Sequence, residues 1–244
     1  MNIFNMTALQ IGQKIKNKEI SCVEVINYFF NNITNKSNGY ITFTKEYAFN
    51  KAKEIQKKID NKENLSILAG VPISIKDNIC TKGIKTTCAS KMLKDYIPSY
   101  NATAFKRLED AGAILVGKIN MDEFAMGDTG TTSFFGGCKN PWDSTKSTGG
   151  SSSGCASSLA YNEAILTLGS DTGGSIRQPS AFCSVTGIKP TYGLVSRYGL
   201  IAFAPEFDQI GPMTKDALDC TKTLEIISGY DENDTTTTVS YTHL

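Results

Sequence analysis

Two loops of small residues are rich in serine, although the chain contains almost no histidine. The first loop is TGGSSSG (residues 148–154), the second is GSDTGGSIRQPS (residues 169–180), and the only histidine is His243, next to the C-terminal residue. A serine hydroxyl is a weak nucleophile until a base accepts its proton, and that base is most often an imidazole. Nucleophilic chemistry at these loops therefore requires a different base.

Lysine is the main substitute, because its pKa falls readily when the ammonium group loses water. Lys76 lies in the apolar segment GVPISIKDN (residues 70–78), where alternating apolar residues predict one strand face and leave Ser74 and Lys76 on the other. A neutral amine there requires a pKa about three units below 10.4, or roughly 4 kcal/mol of differential solvation. The alternative interpretation is a strand-end lysine paired with Asp77.

The second loop offers a nucleophile in Ser175, which follows an apolar segment. Small neighbours let backbone amides converge on a carbonyl oxygen as it gains charge, which predicts an oxyanion hole formed by Thr172, Gly173, Gly174 and Ser175. Asp171 and Arg177 flank the nucleophile and are either a pair that braces the loop or two independent solvated charges. The alternative for the loop is a tight strand-to-helix turn with glycines at positive φ.

The first loop has three interpretations. Its composition is that of a flexible linker, while its position before a predicted helix favours backbone amides that converge on an anion. Residues 150–154 also match G-x-S-x-G, the nucleophile elbow of α/β-hydrolases. The elbow requires a buried strand just before the serine, whereas the preceding residues are NPWDSTKST, and its base would have to be His243.

Composition excludes several other classes of function. Lys plus Arg number 25 and Asp plus Glu number 24, without blocks, so no basic patch indicates a nucleic-acid-binding surface. Seven scattered cysteines without C-x-x-C argue against a disulfide framework and against a metal site. Cys155 and Cys183, near the serine loops, are interpreted as small buried residues. We find no signal peptide and no apolar run of 18 residues, and expect a cytoplasmic protein without a membrane span.

The remaining patterns predict an α/β fold. A capping box at Ser21 and Glu24 begins an amphipathic helix that runs to about Ile33, and residues 40–43 and 45–60 read as a strand and a surface helix. Short β-rich segments then alternate with helical ones (strands 71–75, 114–116 and 164–168; helices 103–111 and 214–228), which indicates parallel pairing. The polar segment from residue 231 predicts a disordered tail, residues 231–244.

The two loops and Lys76 together resemble the Ser-Ser-Lys triad of the amidase signature family. Lys76, Ser151 and Ser175 are separated by 75 and 24 residues, as in that family. The resemblance implies an α/β/α sandwich with a mixed, largely parallel sheet. It also implies that Ser175 attacks the amide, that Ser151 passes protons and is held by a cis peptide, and that Lys76 is the terminal base. We expect an N-terminal helical region (1–62) and an incomplete family core (63–230).

Four further segments resemble the A subunits of glutamyl-tRNA(Gln) amidotransferases within that family: TTCASKML (86–93), GKINMDEFAMG (117–127), KPTYGLVSRYGLIAFA (189–204) and DQIGP (208–212). This resemblance implies glutamine as the amide donor, B and C subunits as partners, and tRNA contacts made mainly by a partner. ATP and Mg²⁺ are expected at a partner subunit, with no cofactor in this chain. The alternatives are a free-standing amidase of the same family and an inactive fragment that serves only for binding.

The chain departs from the family pattern in places that do not touch the triad. Ser153 and Cys155 replace a glycine and a small residue, Leu194 stands where arginine is common, and APEF (204–207) replaces a serine-rich run. Family chains are about twice as long, and their C-terminal half supplies part of the glutamine pocket. The final VSYTHL (239–244) does not continue the pattern, so we expect a truncated chain with foreign residues appended.

Overall fold

The computed structural model describes residues 2–238, whose strands form one mixed six-stranded sheet in the order β1-β3-β2-β4-β6-β5. The strands are β1 (Tyr40–Phe43), β2 (Pro72–Lys76), β3 (Ile114–Ile119), β4 (Leu166–Asp171), β5 (Thr186–Gly187) and β6 (Gln209–Thr214). The central strands β3, β2 and β4 are parallel, whereas β1, β6 and β5 pair antiparallel with their neighbours. The predicted mixed sheet is confirmed, and its parallel pairing is confined to the centre.

Seven α-helices accompany the sheet within residues 2–238: α1 (Ala8–Lys16), α2 (Cys22–Asn32), α3 (Lys45–Asp60), α4 (Thr103–Asp110), α5 (Ser153–Ala160), α6 (Arg177–Cys183) and α7 (Ala217–Ile227). Ser21 caps α2, and the predicted capping box with Glu24 is present. Helix α3 contacts β3, α5 contacts β4 and α7 contacts β6. The predicted α/β class is therefore confirmed.

The centre of the sheet is buried on both faces. Every residue of β2, β3 and β4 is buried, as expected for parallel strands covered on both sides. The main hydrophobic core extends from Ile3, near the N-terminus, to Ile227 at the end of α7, and a small second cluster contains Ala89, Met121 and Ala125. Because β1 pairs with β3, the N-terminal region (1–62) contributes to the same sheet and core as the region that follows it.

Helix α1 was not predicted from the sequence, although it carries a capping box. The Thr7 hydroxyl accepts a hydrogen bond from the Gln10 amide, and the Gln10 side chain accepts one from the Thr7 amide. Asp219, on α7, is buried and accepts hydrogen bonds from the amides of Ala8 and Leu9 at 2.5 and 3.0 Å. The carboxylate thus satisfies two free N–H groups at the start of α1 and ties this helix to α7.

Residues 231–238 differ from the predicted disordered tail. Asp231 and Asp234 are buried, and Thr235–Thr238 forms a 3-10 helix. The Asp234 carboxylate contacts the Arg197 guanidinium at 3.0 Å, and the Asp231 carboxylate accepts a hydrogen bond from the Ser196 hydroxyl. Side-chain hydrogen bonds therefore order a segment whose composition predicts disorder. The VSYTHL segment (239–244) lies outside the described residues.

Candidate active site

Lys76 ends β2 in a fully buried pocket of hydroxyl groups. Its side chain has no solvent exposure, and its Nζ lies 2.7 Å from the Ser151 Oγ. Ser170, on β4, provides two further contacts with Nζ: its Oγ at 2.9 Å and its carbonyl oxygen at 3.3 Å. The predicted base and the first predicted serine are therefore in direct contact, although they lie 75 residues apart in the sequence.

Burial changes the proton affinity of this amine. Desolvation lowers the pKa of Lys76 from 10.5 to about 8, and the charges of Asp122, Asp171 and Asp208 oppose part of that decrease. Within residues 2–238, none of these carboxylates approaches Nζ to within the 4.0 Å of an ion pair. The amine thus has hydroxyl and carbonyl partners, and its neutral form is accessible close to neutral pH.

Asp77 does not pair with Lys76, as the alternative sequence interpretation supposed. Its carboxylate lies 3.5 Å from the Nζ of Lys118, a second fully buried lysine. In the register of β2 and β3, Lys118 lies beside Ile75, so Lys118 and Asp77 share one face of the sheet and Lys76 takes the other. Lys118 also donates to the hydroxyls of Thr81 and Thr86. The sequence analysis did not identify this pair.

The loop that carries Ser151 is buried and held from two sides. The peptide bond between Gly150 and Ser151 is cis. The Gly150 amide donates to the Gln178 Oε1 at 3.0 Å, and the Asp122 amide donates to the Ser151 carbonyl oxygen at 3.2 Å. This loop is therefore not a flexible linker, and residues 139–150 are turns and coil rather than the buried strand that a nucleophile elbow requires.

Ser175 lies at the floor of an open cleft of about 320 Å³, which is also lined by Gly150, Gly173, Gln178 and Phe203, among others. Ser175 as a residue is 8% exposed, whereas Ser151 is fully buried. The carbonyl oxygen of Ser175 accepts a hydrogen bond from the Ser152 amide at 3.1 Å, which joins the two serine loops. Within residues 2–238 the Ser175 hydroxyl forms no hydrogen bond, so it faces the cleft unpaired.

Asp171 organises the loop around Ser175. Its carboxylate accepts hydrogen bonds from the amides of Gly174, Ile176 and Arg177 and contacts the Arg177 guanidinium at 3.0 and 3.1 Å. Burial alone would raise the pKa of Asp171, but the hydrogen bonds from Arg177 and the backbone hold it below its ordinary value. Asp171 and Arg177 are thus a bidentate pair and not independent solvated charges.

This arrangement corrects one part of the predicted oxyanion hole. The Gly174 amide donates to the Asp171 Oδ1 at 2.9 Å and is not available to a substrate oxygen. Thr172, whose hydroxyl donates to the carboxylate of Asp208, does not line the cleft. Among the described residues, the amides of Gly173 and Ser175 donate to no protein acceptor, and both residues line the cleft.

Sequence reasoning missed several polar residues around the triad positions. Ser170 contacts the amine, Asn78 donates to the Ser170 Oγ at 3.0 Å, and Asp208 accepts from the amides of Phe203 and Ala204. Asn78 lies in the turn that follows β2, so its contact with Ser170 does not follow from strand alternation.

The cysteines near the serine loops are free and buried. Burial raises the pKa of the Cys155 and Cys183 thiols to about 12, so neither is a thiolate at neutral pH. This agrees with their interpretation as small apolar residues. In the described part of the chain we find no cluster of His, Cys, Asp and Glu side chains that could hold a metal ion, and no helix long and apolar enough to cross a membrane.

Known proteins are similar to this chain in sequence and in fold. A family described as Amidase matches residues 24–243. The A subunit of the glutamyl-tRNA(Gln) amidotransferase of Lachnoclostridium phytofermentans is 55% identical over 240 residues, which are 97% of this chain and 49% of that protein. The crystal structure of the corresponding protein from Thermotoga maritima superposes with a TM-score of 0.83 at 39% identity and covers 97% of this chain and 50% of that one.

A peptide amidase from Stenotrophomonas maltophilia has the same fold at lower identity, with a TM-score of 0.90 at 28% identity, over 97% of this chain and 50% of that one. The chain spans about half the length of the curated relatives it matches. The family match covers most of the chain, from α2 to beyond the described residues. On this evidence the chain is a member of the amidase signature family.

Proposed function

We propose that the chain carries the amide-cleaving centre of a glutamine amidotransferase, with Lys76, Ser151 and Ser175 as a Ser-Ser-Lys triad. The observation that carries this proposal is the 2.7 Å contact between the buried Lys76 amine and the Ser151 hydroxyl, beneath a cleft on which Ser175 opens. A buried amine whose pKa is lowered to about 8 is a suitable general base near neutral pH.

In the first half-reaction, the Ser175 Oγ attacks the carbonyl carbon of the glutamine side-chain amide. Its proton passes to Ser151, and the Ser151 proton passes to the neutral amine of Lys76. The developing oxyanion accepts hydrogen bonds from the free amides of Gly173 and Ser175. The Ser151 and Ser175 hydroxyls do not hydrogen-bond to each other in the structure, and we expect that contact to form when an amide fills the cleft.

Collapse of the tetrahedral intermediate completes the first half-reaction and runs the relay in reverse. The C–N bond breaks as the amide nitrogen takes the proton back through Ser151, ammonia leaves, and a glutamyl ester remains on Ser175. In the second half-reaction, water adds to the ester carbonyl carbon and gives one proton through Ser151 to Lys76. As the ester C–O bond breaks, this proton returns through Ser151 to the Ser175 Oγ, and glutamate leaves. Lys76 returns to its neutral form at the end of each cycle.

The names of the relatives support the wider role. Proteins named as the A subunits of glutamyl-tRNA(Gln) amidotransferases are about half identical to this chain over almost its full length. We therefore propose that the released ammonia amidates tRNA-bound glutamate on a partner B subunit, with a C subunit in the same complex. ATP and Mg²⁺ would act at that partner, which would also make most tRNA contacts.

An electrophilic probe that reacts with activated serines tests the triad. We expect a fluorophosphonate to label Ser175 in the folded protein, as identified by peptide mass spectrometry. Labelling should fall at least about 100-fold in Lys76→Met and Ser151→Ala. Ser180→Ala, which removes a buried hydroxyl without a partner in the same region, is the matched control and should label normally. Folded protein in which Ser175 stays unlabelled would contradict the proposal and favour an inactive binding module.

Ammonia release distinguishes the amidotransferase from a free-standing amidase of the same family. For the amidotransferase, we expect ammonia release from glutamine to exceed release from other primary amides and to increase when B and C subunits are added. A rate that is independent of these subunits, together with faster cleavage of another amide, would favour the free-standing amidase. This alternative is worth testing because a peptide amidase has the same fold.

A further inference from the structure

Asp122 is a fully buried carboxylate beside the proposed triad. It follows β3 and has no solvent exposure. Its oxygens accept hydrogen bonds from the Gly130 amide at 2.9 Å, the Thr132 amide at 3.1 Å and the Thr132 hydroxyl at 3.0 Å. Within residues 2–238 it has no lysine or arginine partner. Neutral donors thus compensate this carboxylate for the loss of water, and its charge is not cancelled by a cation.

The same residue holds the backbone on which Ser151 lies. The Asp122 amide donates to the Ser151 carbonyl oxygen at 3.2 Å. The Asp122 carboxylate also lies against Gly150, because a Cβ added to Gly150 would be 1.9 Å from the Asp122 Oδ2. Gly150 and Ser151 are thus held between Asp122 on one side and Gln178 on the other.

Asp122 also acts on Lys76 through its charge. The ionisable groups that bear on the amine are Cys155 on α5, Asp122 after β3, Asp171 on β4 and Asp208 before β6. Burial raises the pKa of Cys155 to about 12, so this thiol is uncharged while Lys76 titrates. Of the three carboxylates, Asp122 opposes the effect of burial on the pKa of Lys76 the most.

We propose that Asp122 is a positioning residue of the proposed relay: it anchors the Gly150–Ser151 segment, and its uncompensated charge stabilises the ammonium form of Lys76 after proton transfer. The inference rests on the proposed function for its catalytic meaning. The two effects act at the same step, because the hydroxyl that Asp122 positions is the one that delivers the proton to Lys76. Asp122 itself contacts no reacting atom.

The test measures the titration of Lys76 independently of turnover. The free energy of unfolding is measured across pH for two proteins, one with Lys76 and one with Lys76→Met, and the difference between them gives the midpoint of the Lys76 titration. The same pair is then measured in the Asp122→Asn background. We expect Asp122→Asn to lower this midpoint by at least about half a pH unit, since an anion is removed from the pocket. The matched control is Asp219→Asn, another buried carboxylate held by backbone amides, which should leave the midpoint unchanged.

A midpoint unchanged by Asp122→Asn, or lowered equally by Asp219→Asn, would overturn the inference. Should Asp122→Asn fail to fold, Thr132→Val removes one hydrogen bond to the carboxylate but keeps its charge. We expect that variant to label Ser175 at least about threefold more slowly at an unchanged midpoint, and native labelling would contradict the anchoring role. Failure of the proposed function has a different appearance, because Ser175 would then stay unlabelled in the native protein whatever the Lys76 midpoint.

Discussion

Replacement of Lys76 by methionine gives the sharpest test of the buried amine. The folded protein releases the Lys76 proton near pH 8, whereas the unfolded chain keeps it to about pH 10.5. Between these values the unfolded chain binds more protons, so the free energy of unfolding rises with pH. A difference of about 2.5 pKa units corresponds to about 3 kcal/mol. Burial of the Lys76 ammonium group therefore destabilises the folded protein by this full amount below pH 8 and not at all above about pH 10.5.

Methionine has a similar volume and no charge, so Lys76→Met removes this pH dependence. We expect the free energy of unfolding of the native protein, minus that of the variant, to rise by about 3 kcal/mol from about pH 7.5 to 10.5. Urea unfolding followed by circular dichroism measures both proteins, and equal m-values make the difference interpretable. Hydrogen bonds lost by Ser151 and Ser170 shift the difference by a constant and leave its slope intact.

Lys53→Met, at an exposed position of α3, controls for the general effect of removing a lysine. A difference that changes by less than about 1 kcal/mol across this range would refute the reasoning, since it would mean that burial does not depress the Lys76 pKa. The same titration predicts that acylation of Ser175 accelerates with pH up to about 8 and then levels off, because only the neutral amine accepts a proton.

Three further outcomes follow from the geometry. Arg177→Ala should lower the free energy of unfolding by about 1 kcal/mol without changing which residue is acylated. The loss is small because the Arg177 side chain is 55% exposed and Asp171 keeps its backbone donors. An unchanged melting temperature and turnover would exclude a bracing role. Gly150→Ala should lower the free energy of unfolding by more than about 2 kcal/mol, because the added Cβ overlaps its neighbours. Gly173→Ala should lower it by less than about 0.5 kcal/mol, because the space around its Cβ is open. Equal losses of stability in denaturant titrations would contradict this. Asp234→Ala should expose the C-terminal segment to limited proteolysis, and cleavage at the native rate would show that its ion pair does not hold that segment.

The sequence was sufficient to predict much of the fold because its local patterns agree with its tertiary packing. The capping box at Ser21 gave the start of α2, and alternation along residues 71–75 gave β2 to within one residue. The proximity of Lys76 to the serine loops follows from topology, since β2 and β4 are parallel neighbours and their carboxyl ends meet at one edge of the sheet.

Other features depend on partners that no local pattern specifies. The pairing of Asp77 with Lys118 requires the register between β2 and β3, and the occupied Gly174 amide requires the position of the Asp171 carboxylate. The ordered segment 231–238 was misjudged because its polar residues are satisfied by long-range partners such as Arg197. Composition reports the cost of burying polar groups, but not the hydrogen bonds that offset it.

The two buried lysines, Lys76 and Lys118, lie on opposite faces of the sheet. The register of β2 therefore decides which chemical groups surround each amine. Successive side chains of β2 alternate, so sliding this strand by a single residue would insert either Ile75 or the carboxylate of Asp77 among the hydroxyls that now surround Lys76. Either shift would separate Lys118 from the carboxylate of Asp77 and remove the Lys76 amine from the hydroxyls, while the outline of the molecule would hardly change. A chain folded in the wrong register would thus be detected by the loss of its buried general base sooner than by a change in shape.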